Sequence, residues 1–268
     1  MRVLCRKVKS AFNIIVAIIK NAKNPYFSRL NKQMGRFKDA GLEADRDKLA
    51  KVLNSSLNKA GLPSYNENNG MYSEHLLIFA ALSIHSSFKP RKILEIGTHD
   101  GRCACALAQL FPETTITTLD LRDDDPIFGN TYGRNKSEVK NKFISDRDSR
   151  LSRFKNLEFV QLNSLNLFQW TETKFDLIWI DGAHGYPVVC CDITNSIRLL
   201  ARNGIMMCDD VWTKRNVNDE MYKSKAAWQT LQAFDEAGLL DTTLFAKRIG
   251  FRHLSSEKFV SFSRFSIL

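Results

Sequence analysis

The 268-residue sequence contains no apolar run approaching the ~20 residues that cross a bilayer. Its longest such stretch, Phe12 to Ile19, is short and interrupted by Asn13. That stretch has the length of a signal-peptide core, but no small-x-small cleavage pattern follows it, so secretion is not expected. The six cysteines, Cys5, Cys103, Cys105, Cys190, Cys191 and Cys208, form no C-x-x-C pair and no spaced framework. Three of them stand beside candidate site strands, where free cysteine acts as a small apolar residue. A reducing, cytoplasmic compartment is therefore expected. No internal repeat or low-complexity tract occurs. Acid is missing altogether from the first 38 residues, which carry ten Lys or Arg.

What is present is ordinary in bulk: 44% apolar and 25% charged residues, the composition of a globular protein. The length suits one large α/β domain with a small extension. Net charge is +10, all of it contributed by residues 1–38, since the remaining 230 residues hold 29 basic and 29 acidic groups. The body is thus not a basic nucleic-acid binder. Within the basic arm, Leu4, Val8, Phe12, Ile15 and Ile19 share one helix face, and Arg2, Arg6 and Lys9 fall on another. Such a helix can lie on an anionic membrane surface, making the protein peripheral there. It can equally pack its apolar face on the core or on a second subunit of a homo-oligomer. An organellar presequence and a nucleic-acid contact are further readings. The chain divides into a basic helical extension, 1–70, and a larger domain, 71–268.

From Met71 strands and helices alternate. Ser73 is positioned to cap a helix over Glu74 to Ser86, ended by Lys89-Pro90. Strands are expected at 93–96, 114–119, 157–162, 175–180 and 205–208, and helices at 102–111, about 137–153, 188–201 and 223–237. Residues 121–156 are polar and highly charged, with a loop expected around Gly129 and Gly133. Two closing strands, 242–247 and 259–265, suggest an antiparallel edge. The fold class is α/β: a Rossmann-like, seven-stranded, mostly parallel sheet with helices on both faces and an antiparallel C-terminal edge strand.

Ligands in such a sheet sit beyond the carboxyl ends of the strands. The first strand ends in Glu95-Ile96-Gly97-Thr98-His99-Asp100-Gly101. The spacing is G-x-x-x-G, not the G-x-G-x-x-G of a dinucleotide fold. A side chain at either glycine is expected to block the approach of a nucleotide-like ligand. Asp120 ends the second strand, about 20 residues on, where a carboxylate accepts ribose hydroxyls. Asn163 and Ser164 end the third strand, Asp181 the fourth, and Asp209 and Asp210 the fifth. A lone Asp at a strand end is ordinarily a turn former. Five polar ends on one edge go beyond turn chemistry.

Together these residues resemble the class I S-adenosylmethionine-dependent methyltransferases, over roughly residues 71–265. The E-x-G-x-x-x-G element at Glu95, Gly97 and Gly101 looks like that family's first motif, with Thr98 and Asp100 in the same turn. Asp120 matches its ribose-binding acid. The segments FDLIWIDGAHGYPVVCCDI from Phe175 and NGIMMCDDVW from Asn203 resemble the metal-dependent O-methyltransferases of the catechol, caffeoyl-CoA and macrocin type. The resemblance implies S-adenosylmethionine contacted by Glu95, Gly97, Thr98, Asp100, Gly101, Asp120, Asn163, Ser164 and Asp181. It also implies Mg2+ or another divalent cation on Asp181, Asp209 and Asp210. Three carboxylates without a cation repel one another, and a hard cation relieves that while lowering the pKa of an acceptor hydroxyl.

His184, three residues past Asp181, stands where catechol-type relatives place a basic lysine, and imidazole can accept the hydroxyl proton near neutral pH. A metal or substrate contact and a structural bond to Asp192 are its other readings. Tyr186 and Trp212 either form an aromatic wall for the acceptor or pack in the core. His99 receives no chemical role. The DGAH-x-Y segment looks closest to enzymes that tailor glycosides, implying a sugar or other small polyhydroxy acceptor. No N/D-P-P-Y-type tetrad for nucleic-acid amines is present. The alternatives are a hydroxylase-like relative and a non-catalytic, cofactor-binding one.

Overall fold

Short apolar or β-branched runs become strands, and they gather into one sheet. The computed structural model describes residues 25–67, 73–214, 224–250 and 258–266. The strands are β1 (Lys92–Ile96), β2 (Thr115–Asp120), β3 (Leu157–Gln161), β4 (Phe175–Ile180), β5 (Leu200–Trp212), β6 (Leu240–Ala246) and β7 (Lys258–Phe265). Their order is β3-β2-β1-β4-β5-β7-β6. β1 to β5 run parallel, and β7 lies antiparallel between β5 and β6, so the antiparallel strand sits one in from the edge. Strand order reverses between β1 and β4, the switch point where such sheets open a ligand crevice.

The central strands are buried on both faces, as parallel strands under two helix layers must be. Ile93, Leu177 and Trp179 belong to the core on one side, and Leu94, Ile96, Ile178 and Ile180 to the core on the other. The first layer contains α1 (Pro25–Asp39), α2 (Arg46–Lys59), α3 (His75–Ser83) and α4 (Arg102–Leu110). The second is formed by α7 (Val188–Leu199) and α8 (Ala226–Glu236). α5 (Pro126–Asn130) and α6 (Ser137–Leu151) lie between β2 and β3.

The extension shares the main core. Asp45 caps α2 by accepting from the Lys48 N–H at 3.0 Å. Leu49, Leu53 and Leu57 then recur every four residues and are buried with Leu76, Phe79 and Ala104. On α1, the Gln33 amide pairs both ways with the backbone of Ala246, at 3.1 and 2.9 Å. Arg46 holds both oxygens of buried Glu74 at 2.8 Å, and Tyr65 donates to the same carboxylate at 2.9 Å. Arg36 on α1 lies 5.9 Å from the Phe259 ring centre. The basic stretch from 25 to 38 is therefore packed on the body; the Leu4-to-Ile19 helix lies outside the described residues. No described helix is long and apolar enough to cross a membrane.

Four expected elements differ. α3 ends at Ser83, and the Ser73 hydroxyl bonds the His75 ring, so the helix start has no side-chain cap. Gly129, expected in a loop, lies in α5, started by Asp125, whose carboxylate accepts from Ile127 N–H, with Pro126 in the first turn. α8 begins at Ala226. β5 runs to Trp212, so Asp209 and Asp210 lie within a strand and not at its end. Pairing with β7 prolongs it past the point where its parallel pairing with β4 stops.

Candidate active site

Backbone bonds tie the carboxyl ends of β1, β2 and β4 together. Gly97 and Thr98 N–H both donate to Leu119 C=O, at 2.8 and 3.1 Å, and Asp181 N–H donates to Ile96 C=O at 2.8 Å. Gly97 has φ +103°, and a Cβ there would lie 2.3 Å from the Asp181 carbonyl oxygen. Gly101 has φ +79°, and its Cβ would meet Leu151 of α6 at 2.7 Å. The expectation that these glycines clear space for the ligand is thereby corrected: left-handed backbone and the approach of β4 and α6 exclude a side chain.

Thr98 is buried, its hydroxyl 2.6 Å from that of Thr118, which in turn bonds Glu95. Glu95 is wholly buried beneath the turn, so it acts on the pocket through these threonines and through the Cys103 thiol beside it. Burial pushes its pKa up to about 7. Asp100 accepts from the Arg102 N–H at 3.2 Å and pairs with its guanidinium at 3.0 Å. Asp120 accepts from His99 N–H at 2.7 Å and Leu121 N–H at 2.8 Å, one bond to each oxygen. Each oxygen keeps a lone pair for a hydroxyl. Asn163 caps the short 3-10 turn Ser164–Gln169 by accepting from Leu165 N–H. Ser164 lies near Asp192 on α7, whose carboxyl burial pushes up to about 7.

A pocket opens on this turn. Gly97, Thr98, Asp100 and Asp181 line one side, and His75 and Leu57 another, so α2 and α3 help to enclose it. His75 was not among the expected site residues. Its ring stacks on Trp179, 4.6 Å between centres, and burial lowers its pKa to about 4, keeping it neutral. Residues 75 to 82 are buried throughout, so in sequence this histidine reads as core.

The fourth and fifth strands bring the acids together. Adjacent strand residues ordinarily point to opposite faces. Here the β5–β7 register shifts between Cys208 and Val211, and Asp210 takes φ 55°. This bulge turns both carboxylates to one side. His184 Nε2 lies 3.6 Å from Asp181 Oδ1 and 3.9 Å from Asp210 Oδ2. Donor atoms of Asp181, His184 and Asp209 lie within 4.8 Å of one another. Two further residues, unforeseen in sequence, complete the cluster. Lys247 bonds Asp209 Oδ2 and Asp210 Oδ1, and Lys258 bonds Asp210 Oδ2 at 2.5 Å.

The premise that three carboxylates here lack any counter-charge except a metal is therefore corrected. Burial opposes ionisation of Asp209, but the Lys247 charge prevails and holds its pKa well below the usual range. Asp181 is held well above that range, by burial and then by Asp209; its one-third exposure is to the pocket. Burial lowers the His184 pKa against the opposing pull of Asp210 and Asp209, leaving a neutral imidazole at pH 7. Tyr186 is 67% exposed, which rules out core packing, whereas Trp212 is half-buried with Lys258 5.1 Å from its ring centre.

Residues 94–211 match the family model described as a methyltransferase domain. The strand order, the glycine turn and Asp120 accord with that description, and the matched segment is a methyltransferase domain. No curated protein matches the sequence. Among solved structures, a Klebsiella pneumoniae protein described as a candidate O-methyltransferase is 16% identical, with TM-score 0.50, covering 82% of this chain and 90% of that one. The MycE methyltransferase of the mycinamycin biosynthetic pathway, solved with Mg and SAH, is 13% identical, with TM-score 0.52. That likeness covers 80% of this chain and 55% of MycE. Both are likenesses of fold.

Proposed function

We propose that this protein methylates a hydroxyl of a small acceptor, a sugar, glycoside or other polyhydroxy compound, with His184 as general base. The observation that carries the reading is the common pocket. Asp181, 3.6 Å from His184, lines the same cavity as Gly97 and Thr98, which adjoin the ribose-type acid Asp120. The residues fit the cofactor. Asp120 offers lone pairs to ribose hydroxyls, Asn163 and Ser164 border the adenine side, and the pocket at Gly97 takes the amino-acid end. When bound, S-adenosylmethionine supplies an electrophilic methyl on a sulfonium sulfur.

The chain's own work is then to remove the acceptor proton and exclude water. His184 is 6% exposed and neutral, so it can take that proton without first losing one. Tyr186, exposed two residues past His184, would serve as a wall for the acceptor.

A divalent cation, which the resemblance implies, is the second reading, and the convergence of Asp181, His184 and Asp209 favours it. As arranged, however, the residues do not fit a resident ion. The acid pair already bonds two lysines. Supplying the full-length protein with methyl-labelled S-adenosylmethionine and fractionated glycosides tests the function. Label on a hydroxyl oxygen is expected, and label on nitrogen or carbon only would overturn the reading.

A further inference from the structure

We propose that Lys247 is the resident cation of this site, so that methyl transfer here needs no divalent metal. The inference rests on the O-methyltransferase reading and identifies the fixed positive charge in that site. Lys247 follows β6 directly, and its backbone is pinned on both sides: its N–H donates to Lys258 C=O, and its C=O accepts from Glu74 N–H, both at 2.9 Å. Its side chain is 10% exposed. The ammonium takes one oxygen from each of Asp209 and Asp210, while Lys258 takes the second oxygen of Asp210. Three of the four oxygens of the acid pair thus already accept from lysine.

A hard divalent cation takes about six oxygen ligands. Here it would have to compete for carboxylates already bonded to two ammonium groups. The backbone is shaped for this arrangement. Without the bulge and the left-handed Asp210, neighbouring aspartates would face opposite sides of β5 and could not share one ammonium.

The chemistry closes without a metal. The acceptor O–H bond breaks and its proton passes to the His184 imidazole. The oxygen pair forms the new O–C bond as the S–C bond breaks, leaving a neutral thioether, and His184 returns its proton to solvent. Lys247 supplies fixed positive charge to the cluster that holds Asp181 and His184, the role otherwise given to a cation.

Manganese titration of the purified full-length protein, followed by electron paramagnetic resonance, tests this without an acceptor. Wild type is expected to bind no Mn2+ below the millimolar range. Lys247→Met leaves the acid pair short of a counter-charge and is expected to bind Mn2+ at least about tenfold more tightly. Lys247→Arg keeps the charge and is expected to behave like wild type. One Mn2+ per wild-type chain at micromolar affinity would overturn the proposal. If Lys247→Met does not fold, the wild-type titration alone decides. Calorimetry with S-adenosylmethionine on the same samples separates the two claims. Loss of cofactor binding in wild type defeats the methyltransferase reading, whereas manganese binding defeats only the lysine one.

Discussion

His184 lies within reach of two aspartates, and its neutrality makes it a proton acceptor. Replacing it with Gln keeps a polar side chain of similar reach and removes the titrating group. Methyl transfer by His184→Gln is expected to fall by roughly 10²–10⁴-fold with unchanged cofactor affinity. The acid limb of the wild-type rate profile is expected below pH 6.5, because burial lowers the His184 pKa from its ordinary value. A variant with full activity and an unchanged profile would assign proton removal elsewhere. Asp192 gives a separate test in stability. Its folded pKa, about 7, exceeds the unfolded value of 3.8, so the native state holds the extra proton between them. Asp192 therefore favours folding below about pH 4, and that contribution is lost as pH rises through 7. Asp192→Asn is expected to be more stable than wild type above pH 7, by on the order of 2–4 kcal/mol. Denaturant titrations at several pH values measure this; a pH-independent difference would refute it.

At the scale of elements, the turn between β1 and α4 is the critical join. Gly97→Ala would set a Cβ against the Asp181 carbonyl at a φ that alanine resists. A loss of more than about 3 kcal/mol is expected, together with lost cofactor binding, read by thermal melts and calorimetry. A stable Gly97→Ala protein that merely fails to bind would restore the ligand-clearance explanation. This turn also shows what sequence could reveal. Period and punctuation located the strands, and with them Asp120 and Asp181, because a strand's carboxyl end is a local feature. The reason for each glycine was not legible, since it depends on Asp181 and Leu151, distant in sequence. Lys247 and Lys258 escaped for the same cause. A lysine beside a strand reads as solvated until a bulge 37 residues away supplies its partner. His75 was hidden in an apolar helix, where a buried aromatic partner and not spacing defines it.

Across the whole molecule, the N-terminal helices and the sheet share one core, and Leu57 of α2 reaches the pocket. Removing residues 1–67 is expected to expose that core and yield insoluble or unfolded protein, judged by circular dichroism. Removing residues 1–24 is expected to leave cofactor affinity intact. If that basic stretch serves a membrane surface, its removal should also abolish salt-sensitive binding to anionic vesicles, screened over about 8–10 Å in physiological buffer. Vesicle binding that survives the deletion would move the contact to another face.

The central claim is that the turn at Gly97 and the acid at Asp120 hold S-adenosylmethionine. Isothermal titration of the full-length protein with that cofactor, beside Asp120→Ala and with NAD as control, tests it most directly. One site per chain is predicted, weakened about 10–100-fold in Asp120→Ala through lost hydrogen bonds to a charged group, with no NAD binding. Binding of NAD without S-adenosylmethionine, or an Asp120→Ala protein with undiminished affinity, would contradict the account.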